Sequence, residues 1–220
     1  MEVPSDWTFK NADVAAAFNR HVREQLPWYD LATGAVAHIA RHYLPEQGLM
    51  YDIGASTGNI GIAMQDILTK RNATYVPIDN SPQMAEVYHG PAQLVVADAV
   101  DYEYEQYDVA VCFLVLMFIP PAKRKAFVNK LVNKIKQGGA LIIFDKTEAA
   151  TGYLSTILHR LTIAGKVSTG VPAQEIIDKE LSLSGVQRPL PHHFMQFITP
   201  SAVEVFRFGE FAGWVIAGHD

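Results

Sequence analysis

Helix-period spacing of apolar residues opens the chain, and short unbroken apolar runs follow it. In residues 11–26, Val14, Phe18, Val22 and Leu26 recur every four positions, which predicts one helix. Pro27-Trp28-Tyr29-Asp30 interrupts it. A second helix is predicted over residues 31–44, with Ala35, Val36, Ile39 and Tyr43 on one face and residues 45–48 ending it. Residues 49–53 then form a short run that stops at Gly54, and similar runs recur at 74–78, 93–97, 109–113 and 140–144. Helical stretches at 59–68, 81–88 and 121–136 separate most of them. Strands alternating with helices predict a parallel sheet with right-handed crossover helices on its faces. Beyond Phe144 the alternation loosens. Helices are expected at 156–164 and 173–183, and two antiparallel strands at 203–211 and 214–217.

The expectation is an α/β, Rossmann-like fold with seven strands and helices on both faces. No linker-like stretch divides the chain, so residues 1–220 are read as one domain. Within it, 1–48 is a helical cover, 49–146 the ligand-binding core, and 147–220 a variable cover with the last two strands. Apolar residues make up 49% and charged residues 19%, an ordinary globular composition. The net charge of −5 argues against a broad nucleic-acid footprint. Cys112 is the sole cysteine, so no internal disulfide forms, and a cytoplasmic setting is expected. Residues 1–6 carry no basic and apolar leader, and no run of about 18 apolar residues suggests a membrane span.

Candidate chemistry begins at Gly54-Ala55-Ser56-Thr57-Gly58-Asn59, between the first strand and the next helix. Small residues there admit a ligand to the backbone, and the helix amides favour an anionic group such as the carboxylate of S-adenosylmethionine (SAM). The spacing fits neither a G-x-G-x-x-G fingerprint nor a phosphate loop. Asp79 ends the second strand, 21 positions after Gly58, where an acid accepts from ribose hydroxyls. Asn80-Ser81-Pro82 opens the following helix, with Ser81 as N-cap. Asp98 ends the third strand and could accept from an adenine amino group while the Ala99 N–H reaches the ring. The alternative readings are a tight turn, a helix-terminal charge and a loop acid. Convergence at the carboxyl ends of successive strands favours a nucleoside site.

These residues resemble the class I SAM-dependent methyltransferases, whose last strand runs antiparallel. A closer resemblance is to the carboxy-S-adenosylmethionine synthase family, which acts in tRNA wobble-uridine modification. It rests on Asp6-Trp7-Thr8-Phe9, Tyr51-Asp52-Ile53-Gly54-Ala55-Ser56, Ile78-Asp79-Asn80-Ser81-Pro82-Gln83-Met84 and Gly138-Gly139-Ala140-Leu141. The resemblance implies SAM contacts at Tyr29, Gly54, Ala55, Ser56, Asp79, Asn80, Asp98 and Ala99, and it implies a homodimer. It departs at Phe113, where the family has asparagine. It departs also at Glu180, which aligns with an arginine that holds the carboxyl group added to SAM; Arg188 or Arg160 could stand in.

Three readings follow: a SAM-dependent methyltransferase, which is favoured, a carboxy-SAM synthase-like enzyme, or a SAM-binding module without turnover. The acceptor is a small molecule or tRNA. No single diagnostic catalytic residue is expected, because a base is needed only where the nucleophile carries a proton. Asp145, Lys146, Tyr153, His159, His192 and His193 are the candidates near the opening. The histidines lack a suitably spaced carboxylate or cysteine partner, so no metal is expected. Lys123, Arg124, Lys125, Lys130, Lys134 and Lys136 give the 121–136 helix either a solvated face or an RNA contact.

Overall fold

The computed structural model describes residues 4, 8–148 and 152–218, so Asp6 and Trp7 lie outside the described residues. Five parallel strands come first: β1 (Leu49–Ile53), β2 (Thr74–Asp79), β3 (Val95–Val96), β4 (Tyr107–Phe113) and β5 (Ile135–Lys146). β6 (Val203–Phe208) and β7 (Phe211–Ala217) complete a seven-stranded sheet of order β3-β2-β1-β4-β5-β7-β6. β7 runs antiparallel to β5 and to β6, the single reversal expected. The helices are α1 (Ala12–Gln25), α2 (Tyr29–Tyr43), α3 (Asn59–Lys70), α4 (Pro82–Glu86), α5 (Pro121–Val132), α6 (Tyr153–Ser168), α7 (Ala173–Ser182) and α8 (Phe194–Ile198).

The two-residue period of the strands divides the core. Val109, Val111 and Phe113 of β4 join Ala140, Ile142 and Phe144 of β5 on the face that also buries Val36 and Ala40 of α2 and Met64 of α3. Ala110, Cys112, Leu141 and Ile143 point the other way, onto Phe127, Val128 and Leu131 of α5. Both faces are covered, which is why β4 is buried throughout and reads as an unbroken apolar run. Apolar residues buried at this density offset the chain entropy of folding at about 25 cal/mol per Å².

Several boundaries differ from the sequence pattern. The α5 helix stops at Val132, with Asn133 as its C-cap. Ile135 and Lys136 instead begin β5, where Ile135 pairs with Tyr107. The third strand shrinks to Val95–Val96 because it pairs only with Ile78 and Asp79 of β2. Residues 209 and 210 form the β6–β7 turn rather than strand, and Gly209 has φ +56°. Asn11 caps α1 by accepting from the Asp13 and Val14 amides, and Ser81 caps α4 by accepting from Met84.

Candidate active site

The β1 strand ends in a turn that only small residues allow. Gly54 has φ +72° and Ser56 has φ +50°. The Gly54 and Ala55 amides both donate to the Ile78 carbonyl, which fixes the turn beside the end of β2. The Asp79 carboxylate then accepts the Ser56 amide at 3.0 Å on one oxygen and the Ser81 amide at 3.0 Å on the other. Burial pushes its pKa upward, opposed by the Ser81, Ser56 and Asn80 amides. Turn and acid therefore face one crevice.

That crevice encloses about 320 Å³ at the carboxyl ends of the strands, a size suited to a small ligand. Tyr29, Gly54, Ala55, Ser56, Asp79, Asn80, Asp98, Ala99 and Phe113 all line it. Gly58, with φ +91°, does not. It is the N-cap before α3, and a Cβ there would stand 2.7 Å from the Gly90 nitrogen, so its smallness serves packing. The Tyr29 hydroxyl accepts from Asn59 at 3.0 Å, and its ring meets Phe113 edge-on at 5.4 Å. Arg23 also lies over the Tyr29 ring and pairs with Asp30 at 2.9 Å.

Another part of the crevice wall, from the end of β5 and from α6 and α7, is rich in lysine. Lys146, Lys166 and Lys179 line it together with Glu180 and Gln187. Lys166 donates to Glu180 at 2.7 Å, and its side chain is only 6% exposed. That ion pair and the nearby Lys146 and His159 charges outweigh burial and hold the Glu180 carboxyl below its usual range. Lys146 donates to Gln187 at 3.2 Å. Burial and the Lys166 charge drive Lys179 down to about 5. Sequence reasoning missed Lys166, Lys179 and His21 as wall residues. Lys179 carried one signal: it falls three positions after Ile176, on the buried face of α7.

Other candidates fall elsewhere. Asp145 is fully buried and accepts from the Leu116, Met117 and Lys146 amides, so the turn after β4 covers it. Tyr153 is 70% exposed, and His159 faces Glu210 at 3.6 Å outside the crevice. His192 and His193 meet edge-to-face at 4.3 Å, also outside it, and neither Arg160 nor Arg188 lines it. Three of the six cations at 121–136 are engaged within the protein, and Lys123 lines the crevice. Arg124 is buried on backbone carbonyls, Lys130 binds Tyr102 and Glu103, and Lys136 in β5 pairs with Asp108 at 2.8 Å. Among the described residues, His21, Glu24 and Glu175 place possible metal-ligand atoms within 4.8 Å of one another. The Lys166 and Arg20 charges near His21 oppose a cation there.

His21 yields a pH prediction. It is 2% exposed with Glu175 at 3.5 Å, yet burial, then Lys179, pushes its imidazole down to about 3. The folded state therefore binds fewer protons than the unfolded chain between pH 6.5 and 3. Its contribution to stability is present above pH 6.5 and is lost as the pH falls. The loss is about 1.5 kcal/mol between pH 6.5 and 5. Denaturant titrations should therefore find His21→Gln less acid-sensitive than the parent by about that amount over this range. Parallel pH profiles for the two proteins would refute a buried neutral His21.

Comparison with known proteins agrees with this geometry. A family model described as a methyltransferase domain matches residues 50–139. The carboxy-S-adenosyl-L-methionine synthase of Staphylococcus epidermidis is 32% identical over 192 residues, covering 85% of this chain and 84% of that protein. The chain belongs to the carboxy-S-adenosyl-L-methionine synthase family. The enzyme of the same name from Wolinella succinogenes is 30% identical, covering 80% of this chain and 77% of its own. Among solved structures, magnesium protoporphyrin IX methyltransferase from Synechocystis PCC 6803 with bound SAH, at 15% identity, shares the fold. Its TM-score is 0.56, with 88% of this chain and 84% of that one covered. Human N-acetylserotonin methyltransferase in complex with SAM has a TM-score of 0.61 at 10% identity, covering 96% of this chain, which spans only 58% of that one. The family member described here is thus a SAM-dependent transferase with the class I methyltransferase fold, and SAM is its cofactor. Among the described residues no helix is long and apolar enough to cross a membrane.

Proposed function

We propose that this chain transfers the methyl group of SAM to a small anionic acceptor. The observation that carries the reading is the polarity of the crevice. Carboxylates and a small-residue turn lie at the β1–β3 end, and lysines lie at the β5 end of the same space. Gly54, Ala55 and Ser56 would take the methionine end, Asp79 the ribose hydroxyls, and Asp98 with the Ala99 amide the adenine. Tyr29, Asn80 and Phe113 complete that wall. Bound there, SAM supplies a methyl group on a sulfonium that is already electrophilic. Phe9, Phe18, Met117 and Phe118 line the crevice and exclude water. Lys146 and Lys166 would hold the acceptor's charge, leaving orientation as their main contribution.

A second reading is carboxyl transfer onto SAM itself, as the relatives' name describes. It is supported by the Lys166–Glu180 pair, which neutralises the acid that would repel an added carboxyl group. A tRNA acceptor has less support, since Arg124, Lys130 and Lys136 are engaged within the protein. Residues 1–48 and 147–220 act as covers over the 49–146 core within one domain. A cytoplasmic homodimer belongs to the same reading. The lone buried Cys112 suits a reducing compartment, and the edge strand β6 exposes Val203 and Val205.

Mass spectrometry decides between the two activities. Incubation with SAM and a panel of carboxylate acceptors should yield SAH and a methylated product, and a carboxylated SAM formed from SAM and prephenate would overturn methyl transfer. Lys166→Met should lower kcat/KM for the acceptor by at least about tenfold, a charge-assisted hydrogen bond being worth roughly 1.5–3 kcal/mol. Its Kd for SAM should stay within about threefold.

A further inference from the structure

We propose that Arg124 and Asp145 are positioning residues that clamp the co-substrate wall of the crevice from beneath. The wall is the segment after β4, which includes the 3-10 turn Leu116–Phe118 and presents Met117, Phe118 and Ile119 to the cavity. The two charges grip opposite ends of that turn. Asp145, fully buried, accepts the Leu116 amide at 2.6 Å and the Met117 amide at 3.2 Å. Arg124, 2% exposed, donates to the Ile119 carbonyl at 2.8 Å and the Met117 carbonyl at 3.3 Å. Each charge thus meets the backbone dipoles of complementary sign.

Arg124 also joins a second wall. It donates to the Arg188 carbonyl at 2.8 Å and the Pro189 carbonyl at 3.1 Å, while the Arg188 amide returns to Met117 at 2.9 Å. That strand-like segment lies beside the end of β5, with the Leu190 amide on the Lys146 carbonyl at 2.8 Å, and it carries Gln187, the partner of Lys146. A planar guanidinium with five donors can span these four carbonyls, whereas a single ammonium cannot. Among the described residues neither Arg124 nor Asp145 hydrogen-bonds to the Gly54–Ser56 turn or to Asp79, and the held segment meets that turn only through the Val115 side chain beside Gly54.

The inference rests on the crevice holding a co-substrate but not on the lysines. Lys166→Met tests the anionic acceptor and should leave the clamped segments unchanged, so the two failures are distinguishable. Arg124→Lys and Asp145→Asn are the informative variants, because Arg124→Met strands four carbonyls and risks misfolding. In both, amide hydrogen exchange should rise at least about tenfold across residues 114–119, and in Arg124→Lys across 187–190 as well. SAH affinity by calorimetry should stay within about threefold. In the turnover assay, kcat/KM for the co-substrate should fall at least about tenfold while KM for SAM holds. Unchanged exchange at 187–190 in Arg124→Lys would overturn the clamp. So would a loss of SAH affinity as large as the loss of turnover, since the pair would then support the nucleoside instead.

Discussion

Asp79→Ala should raise the Kd for SAM by at least about tenfold. In the proposed binding mode the carboxylate accepts from the ribose hydroxyls, and a charge-assisted hydrogen bond is worth roughly 1.5–3 kcal/mol. The structure adds a second cost. Asp79 is also the acceptor for the Ser56 and Ser81 amides, so its removal deprives both amides of that acceptor. Asp79→Asn separates the two effects. One amide oxygen keeps a single backbone donor satisfied but brings no charge, so its affinity should fall between wild type and alanine. Asp98→Ala makes the comparison, because Asp98 is exposed and, among the described residues, accepts only the Val100 amide, at 2.8 Å. Its loss should cost about threefold. Calorimetry on folded Asp79→Ala with wild-type affinity would remove the ribose assignment.

The parts of this molecule that sequence makes visible are those whose cause is local. The β1 run ends at Gly54 because the backbone must turn there with positive φ, and Asp79 follows β2 directly. The Ser81-Pro82 start of α4 needs only its own residues. What escapes is set by partners distant in the chain. Residues 135 and 136 continue the periodicity of α5, yet pairing of Ile135 with Tyr107 draws them into β5. Asp145 ends a strand at the crevice, as a catalytic acid would, but the turn after β4 folds over it. Arg124 reads as one cation among six on a surface helix, and only the 188–189 segment explains its burial. Lys166 and Lys179 come from separate helices of the cover, so no spacing announces that they share a wall.

Gly54→Val should abolish SAM binding and destabilise the fold, and a paired substitution can tell these effects apart. A side chain at φ +72° costs about 1–2 kcal/mol in backbone strain, more where it is β-branched. A Cβ at Gly54 would also stand 2.5 Å from the Val115 Cγ2. Since Val115 belongs to the segment fixed by Asp145 and Arg124, it has little freedom to retreat. Together these should lower stability by about 2–4 kcal/mol, read from denaturant midpoints at constant m. In Gly54→Ala with Val115→Ala, the clash is relieved while the strain and the added Cβ remain. That double variant should recover most of the lost stability yet still bind SAM at least about tenfold more weakly than wild type. Recovery of affinity along with stability would mean that Gly54 serves only the packing against Val115. The small-residue turn would then be a feature of the fold rather than the place where the cofactor meets the backbone.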